Sequence, residues 1–163
     1  MHRASRSLLL AAAAAAAVAC THTTGPVDPS ASALALEQPL PAAERSALRA
    51  GAILFFHDPT VVEVPSSATA GMPFTVTVTT YGGGCISEDT TVVKADGQRA
   101  DVVPYQRIYN PGPNGGACPS ELRITRRQAS VVFDAPGSGV VRVIGRAMPG
   151  DTLMQVQRTV HVR

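Results

Sequence analysis

Two short clusters in the sequence carry side chains of the types used in nucleophilic and acid–base catalysis. His57 is followed directly by Asp58, and the pair would supply half of a Ser-His-Asp triad. Ser87 stands beside two acidic residues, Glu88 and Asp89. However, adjacent residues seldom face one another, and no serine lies in a G-x-S-x-G setting. We interpret Ser87 as part of a solvated turn and predict that the protein is not an enzyme.

Metal chemistry is not indicated either. A copper site of the cupredoxin type would need His and Met shortly after a cysteine, but Cys118 is followed by Pro-Ser-Glu-Leu-Arg. Neither Cys85 nor Cys118 has a second cysteine or histidine at ligand spacing. The acidic residues are scattered, so no calcium loop of the EF-hand type appears. We predict no metal and no cofactor.

The N-terminus has the pattern of an export signal. Arg3 and Arg6 form a basic start, and Leu8 to Val18 form an apolar stretch of 11 residues. This stretch is too short to span a bilayer but fits a signal peptide. Ala17-Val18-Ala19 permits ordinary cleavage, which would release a soluble periplasmic or secreted chain. The same residues followed by Cys20 resemble the lipobox of bacterial lipoproteins.

That resemblance implies that Cys20 becomes the first mature residue and carries a diacylglycerol, which would anchor the protein to a bacterial envelope membrane. In the lipoprotein family, Asp directly after the lipid-bearing cysteine favours the inner membrane. Thr21 stands there instead, which implies a mild preference for the outer membrane. The predicted organisation is a signal peptide over residues 1–19, a tether over 20–50 and a folded domain over 51–163.

The number of cysteines agrees with this interpretation. An odd count in an exported chain needs an explanation for the odd one. With Cys20 as the lipid acceptor, Cys85 and Cys118 remain as a pair, and an oxidising compartment favours a disulfide between them. Such a bridge would close a loop of about 34 residues and stabilise the fold by roughly 3–4 kcal/mol.

The tether is rich in Ala, Pro, Ser and Thr, as flexible linkers are. Its last part is compatible with one short helix over residues 41–51. Pro41 lies near the start of this segment, Gly51 lies just past its end, and Arg49 lies in what would be the last turn. Few large apolar residues are present, so such a helix would depend on docking for its stability.

Short β-branched runs separated by turn residues follow the tether. In residues 72–81, Phe74, Val76 and Val78 alternate with threonines, which predicts an apolar face on the core and a threonine face toward water. Asp96-Gly97 between two apolar runs predicts a hairpin. A later strand is predicted to carry the apolar residues Leu122, Ile124, Ala129, Val131 and Phe133.

The sequence predicts seven or eight strands in about 110 residues, which is typical of an all-β antiparallel sandwich. The stretch VPSSATAGMPFTVTV, followed by DAPGSGVVRVIGRA and QVQRTVHV, resembles the opening and closing strands of bacterial Ig-like domains. The resemblance covers roughly residues 59–163 and implies an Ig-like, fibronectin-like fold. The inter-sheet disulfide of antibody domains is absent, because Cys85 lies in a loop after its strand.

Residues 104–120 predict a long loop, since residues 110–120 contain three prolines and three glycines. Braced by the disulfide, this candidate interaction loop would present Tyr105, Arg107 and Tyr109. Five arginines of the later strands are interpreted as a solvated outer face, with a basic patch as the alternative. They are Arg123, Arg126, Arg127, Arg142 and Arg146.

The composition and net charge argue against binding to nucleic acid. Of the 163 residues 16% are charged, and removal of residues 1–19 takes away Arg3 and Arg6 to leave 12 basic against 12 acidic residues. A neutral domain without Trp is not expected to bind nucleic acid. The primary hypothesis is a non-enzymatic envelope lipoprotein, bound to the membrane through Cys20, with a structural role or an envelope protein partner. The alternatives are a ligand- or carbohydrate-binding sandwich and a peptidase inhibitor that uses the 104–120 loop.

Overall fold

Residues 46–111 and 116–163 are described by a computed structural model, and within them the regular structure consists of ten β-strands. The strands are β1 Ser46–Ala50, β2 Ala52–Phe55, β3 Val62–Glu63, β4 Ser67–Ala68, β5 Phe74–Gly82, β6 Ile86–Asp96, β7 Arg99–Tyr109, β8 Arg123–Val131, β9 Gly137–Met148 and β10 Thr152–Val162. The signal peptide, Cys20 and most of the tether lie outside the described residues.

The helix considered for residues 41–51 is not formed where the chain is described, because Ser46–Ala50 is strand β1. The strand pairs antiparallel with β7, from Ser46 opposite Tyr109 to Ala50 opposite Tyr105. Ala47 and Ala50 are buried by this pairing. A segment with weak helical signals has gained backbone hydrogen bonds and burial from a neighbouring strand, and these outweigh local propensity.

The strands form a single curled sheet that mixes parallel and antiparallel pairs. The predicted all-β class is therefore confirmed, but a wholly antiparallel arrangement is wrong. Strand β9 runs parallel to both β7 and β2, and β4 runs parallel to β10. The count of ten exceeds the predicted seven or eight because short strands such as β1, β2 and β4 carry no clear alternation of their own.

Strands β7 and β9 run side by side and then separate, forming a fork. They pair from Arg99 opposite Val140 to Val102 opposite Val143. Beyond this point β1 takes the free edge of β7, and β2 takes that of β9. Gly51 lies at the apex, where its N–H donates to the carbonyl oxygen of Pro104 (2.7 Å) and its own carbonyl accepts from the N–H of Arg146 (2.9 Å).

Close packing at this apex requires a second glycine. A Cβ atom on Gly145 would lie only 2.7 Å from the Gly51 carbonyl oxygen and from Ile53. Pro104 fits in β7 because it lies where the strand changes partners, and because the Gly51 carbonyl on that side accepts from the N–H of Arg146 rather than from residue 104. The fork therefore depends on glycine and proline, which tolerate an interruption in the hydrogen bonds between neighbouring strands.

The main core confirms the predicted strand faces in part. Val76 and Val78 of β5 are buried, as are Val131 and Phe133 in and after β8. The threonine face is not wholly in water, since Thr80 is completely buried and its hydroxyl contacts the Glu88 carboxylate at 3.3 Å. Leu122 and Ile124 were expected among the apolar strand residues, but their exposed fractions are 49% and 59%.

The hairpin predicted at Asp96-Gly97 is confirmed, with the turn one residue further along. Asp96 pairs with Arg99, so Gly97 and Gln98 form the two-residue connection, and Gly97 has a φ of 55°. This register also places Lys94 opposite Asp101. Both cross-strand pairs join opposite charges, which favours this register over one that sets Lys94 against an arginine.

Candidate functional site

The predicted interaction loop is largely a strand. Residues 104–109 belong to β7, and Tyr105 is completely buried in a second core cluster with Val103 and Ile144. Arg107 is exposed and forms an ion pair with Asp89 (2.9 Å). Tyr109, 45% exposed, pairs with the start of β1. The prediction that Tyr105 is presented to a partner is therefore wrong, because the first residues of the predicted 104–120 loop belong to β7.

Cys85 and Cys118 lie at disulfide distance, with an S–S separation of 1.93 Å. The turn before Cys85 carries positive φ angles at Gly83 (112°) and Gly84 (59°). A Cβ atom on Gly84 would lie 2.7 Å from the carbonyl oxygen of Pro119. The glycine turn and the segment after Cys118 are thus packed backbone to backbone, and the disulfide fastens one to the other.

A cavity of about 640 Å³ lies at the open end of the fork, and we call it the fork pocket. It lies between β1 and β2 on one side and the ends of β5, β7 and β9 on the other, and the segment after Cys118 forms a further wall. Apolar and small residues make up most of its lining: Ala50, Ala52, Phe55, Tyr81, Gly82, Gly83, Ile86, Ile108, Leu122 and Met148. The polar lining residues are Arg49, Gln106, Ser120, Glu121, Arg146 and Asp151.

Gln106 forms the polar part of the pocket floor, and its carboxamide is fully engaged with the protein. Its Oε1 accepts from the N–H of Ala52 (3.0 Å). Its Nε2 donates to the carbonyl of Tyr81 (3.0 Å) and to Oε1 of Glu88 (3.1 Å). Gln106 therefore ties β7 to β2, β5 and β6, and it fixes the strand ends around the pocket rather than offering polar atoms to a ligand.

Two strained backbone positions lie at the pocket. Among the described residues, Phe56 (φ 53°) and Asp151 (φ 51°) are the non-glycine residues with positive φ. Asp151 lines the pocket, and the N–H of Phe56 donates to the carbonyl of Met148, another lining residue. Phe56 is also 57% exposed. Strain of this kind in a bulky residue persists when the surrounding structure imposes it, and it clusters at functional sites.

The arginines predicted to form an outer face have different environments. Arg127, whose side chain is 9% exposed, bridges β8 to β6, donating to Oε2 of Glu88 (2.7 Å) and to the carbonyl of Asp89 (2.7 Å). Arg142 is buried against Asp101 in a bidentate ion pair. Arg146 belongs to the fork pocket. Arg123 and Arg126 remain exposed, so the interpretation as a common solvated face is wrong for the other three.

The residues singled out for catalysis do not come together. His57 and Asp58 are exposed in the turn after β2. Ser87, Glu88 and Asp89 lie in β6 and not in a solvated turn, and Glu88 is half-buried between Arg127 and Gln106. Within residues 46–111 and 116–163, no three His, Cys, Asp or Glu side chains are grouped so as to hold a metal ion. No helix in these ranges is long and apolar enough to cross a membrane.

Comparison with known proteins adds no relative to this description. The chain matches no family model, no curated protein and no solved structure. The fork pocket is therefore the feature on which a functional proposal rests. Sequence reasoning missed it because its lining residues are contributed by segments between positions 49 and 151, without a shared local motif.

Proposed function

We propose that the protein is an exported, lipid-anchored β-domain without enzymatic activity that binds a small, largely apolar ligand in the fork pocket. The leader and Cys20 support the anchored location, as argued from the sequence. The domain's role is supported by a single observation, a cavity of about 640 Å³ with mainly apolar walls. Cavities of roughly 300–1,000 Å³ with a few fixed polar groups are typical of small-molecule sites.

Among the functions considered from the sequence, the pocket geometry favours the ligand-binding alternative in its apolar form. A sugar would need free polar partners and open aromatic faces. Here the Gln106 carboxamide is engaged by the protein, and the rings of Phe55 and Tyr81 stack on one another at 5.6 Å. The peptidase-inhibitor hypothesis is not favoured, because Tyr105, one of the side chains that would contact a protease, is buried.

A structural or protein-interaction role is the second candidate. It is supported by the exposed apolar side chains of Leu122 and Ile124 at the start of β8, close to the exposed arginines Arg123 and Arg126. Isolated apolar side chains on a surface are common, whereas this group lies beside the fork pocket. A partner protein and a pocket ligand would then contact neighbouring surfaces.

We further propose that the curled sheet is a divergent Ig-like sandwich. The main core is formed by β3, β5 and β8 on one side and by β7, β9 and β10 on the other, as their buried residues indicate. Val76 and Val131 represent the first group, and Val102, Val143 and Val160 the second. In this arrangement the fork pocket lies at one end of the sandwich.

Ligand binding is testable with a fluorescent reporter, because the chain contains no Trp. Leu122→Trp places a single indole at the pocket wall, and Val132→Trp places one at the opposite end of β8, at a similarly exposed site. The test uses the exported full chain with Cys20→Ser, purified without detergent and titrated with decanol. We expect a saturable blue shift in the Leu122→Trp protein and none in the Val132→Trp protein. Equal responses, or no response in either, would reject the fork pocket as a ligand site.

A further inference from the structure

We infer that the ligand of the fork pocket is an amphiphile with one carboxylate head, which Arg49 and Arg146 bind, and an apolar chain that lies along the pocket walls. This inference rests on the proposed function, since it names the class of ligand for the same pocket. It is carried by the charges at the pocket and by their burial.

Two arginines from opposite sides of the fork converge on one carboxylate. Arg49 of β1 donates from Nη2 to Oδ2 of Asp151. Arg146 of β9 donates from Nη1 to the carbonyl oxygen of Asp151 (2.8 Å) and lies 3.6 Å from its Oδ1. Two guanidinium groups and one carboxylate leave this cluster with one net positive charge.

The remaining charged lining residue does not cancel that charge. Glu121 forms an ion pair with Arg123 at 3.0 Å. Arg123 is not part of the pocket lining, but its charge offsets that of Glu121. The charged groups around the pocket therefore attract one negative charge, which fits a carboxylate better than a doubly charged phosphate.

The burial of the two arginines strengthens this attraction. The side chain of Arg49 is only 27% exposed, and that of Arg146 only 15%. Their positive charge therefore acts through a medium of lower dielectric than bulk water. A guanidinium has five N–H donors in a planar fork that matches a carboxylate. Asp151 engages Arg49 through one terminal nitrogen, so further donors of the same group can turn to a ligand.

The rest of the lining fits a hydrocarbon chain. Ala50 and Ala52 flank the Gly51 apex and leave open volume, while Phe55, Ile108 and Met148 supply apolar surface. The exposed ring of Phe56 lies 4.7 Å from that of Phe55, which extends this surface toward solvent. Burial of each methylene of a chain is favourable, so a chain of medium length would gain most of its affinity there.

The test compares decanoate with decanol at fixed ionic strength and below their aggregation limits, using the Leu122→Trp reporter in the exported full chain with Cys20→Ser. We expect decanoate to bind at least about ten-fold tighter than decanol, as a charge-assisted contact would give. Arg49→Gln should weaken decanoate about ten-fold and leave decanol unchanged. Arg146→Gln provides a second variant if the first one is poorly folded. Arg99→Gln is the matched control, since Arg99 lies about 30 Å along β7 from Ile108.

The outcomes separate this inference from the proposed function. If decanoate and decanol bind equally, the pocket remains an apolar site but the carboxylate inference is overturned. If decanoate binds more tightly and neither arginine variant changes its affinity, the assigned head site is overturned. If neither probe binds, the proposed function fails and the inference fails with it.

Discussion

Single side chains in this domain hold together strands whose backbones do not meet. Arg127 donates to the Glu88 carboxylate and to two backbone carbonyls, those of Asp89 and Tyr105, and so joins β8 to β6 and β7. Asp89 lies in the irregular part of β6, between the pairs Glu88–Gln106 and Thr91–Pro104. The extra residue in β6 interrupts its pairing with β7, and an arginine from a third strand binds a carbonyl of each strand at this interruption.

The buried ion pair of Arg142 and Asp101 gives a prediction at this scale. The two hydrogen bonds measure 2.8 and 2.6 Å, and the side chains are 7% and 2% exposed. Asp101→Ala removes the carboxylate and leaves a buried positive charge, so we expect a loss of about 3–5 kcal/mol in the free energy of unfolding. Urea denaturation of the full chain measures this loss.

Two control variants accompany that measurement. Asp101→Leu combined with Arg142→Met removes both charges and should cost less than Asp101→Ala alone. Glu63→Gln breaks the exposed pair with Arg126, whose side chains are 53% and 65% exposed, and should cost at most about 1 kcal/mol. A small effect of Asp101→Ala, similar to that of Glu63→Gln, would contradict the assigned importance of the buried pair.

At the scale of elements, the disulfide and the glycine turn act as one unit. Cys85 follows Gly83 and Gly84, and a Cβ atom on Gly83 would lie 2.3 Å from the carbonyl of Glu121. The segment fastened in this way includes Ser120, Glu121 and Leu122, which line the fork pocket. The cysteine pair therefore holds a wall of the pocket as well as closing a chain loop.

Replacing both cysteines should affect stability and binding together. Cys85→Ser with Cys118→Ser is expected to lower the free energy of unfolding by roughly 3–4 kcal/mol, because the unfolded chain without the cross-link has a higher conformational entropy. The apparent affinity for decanol should also fall, because the wall that contains Leu122 loses its fastening. Chemical denaturation and the Trp titration measure the two effects, and reduced wild-type protein should reproduce both. An unchanged affinity in a destabilised variant would show that the wall is held without the disulfide.

The same scale shows what sequence patterns are able to predict. The alternation through Phe74, Val76 and Val78 predicted β5 because a period of two is a local property. The prolines and glycines of residues 110–120 predict a loop that includes Tyr105, while the strand at Tyr105 depends on β1 and β6 as neighbours. The fork pocket is lined by residues as far apart in sequence as Arg49 and Asp151, so no local sequence pattern predicts it.

At the scale of the whole molecule, the proposed lipid anchor has a consequence that can be measured directly. The proposed lipid at Cys20 and the cysteine pair make a joint prediction about mass. Protein purified from its native membrane fraction should begin at Cys20 with acyl additions, and reduction should add two hydrogen atoms for the Cys85–Cys118 bridge. Intact-mass spectrometry before and after reduction measures both. An unmodified chain in the soluble fraction would contradict the anchor and favour a secreted binding protein.

The position of β1 determines how the domain would respond to mechanical load. β1 is the first of the described strands, so among them a pull from the proposed anchor at Cys20 would reach β1 first. Five residue pairs with β7 bear that load, and they end at the Gly51 apex. Peeling β1 away would remove Arg49 and Ala50 from the fork pocket before the main core is disturbed. A load from the proposed anchor would thus disrupt the proposed ligand site while the main core keeps its packing.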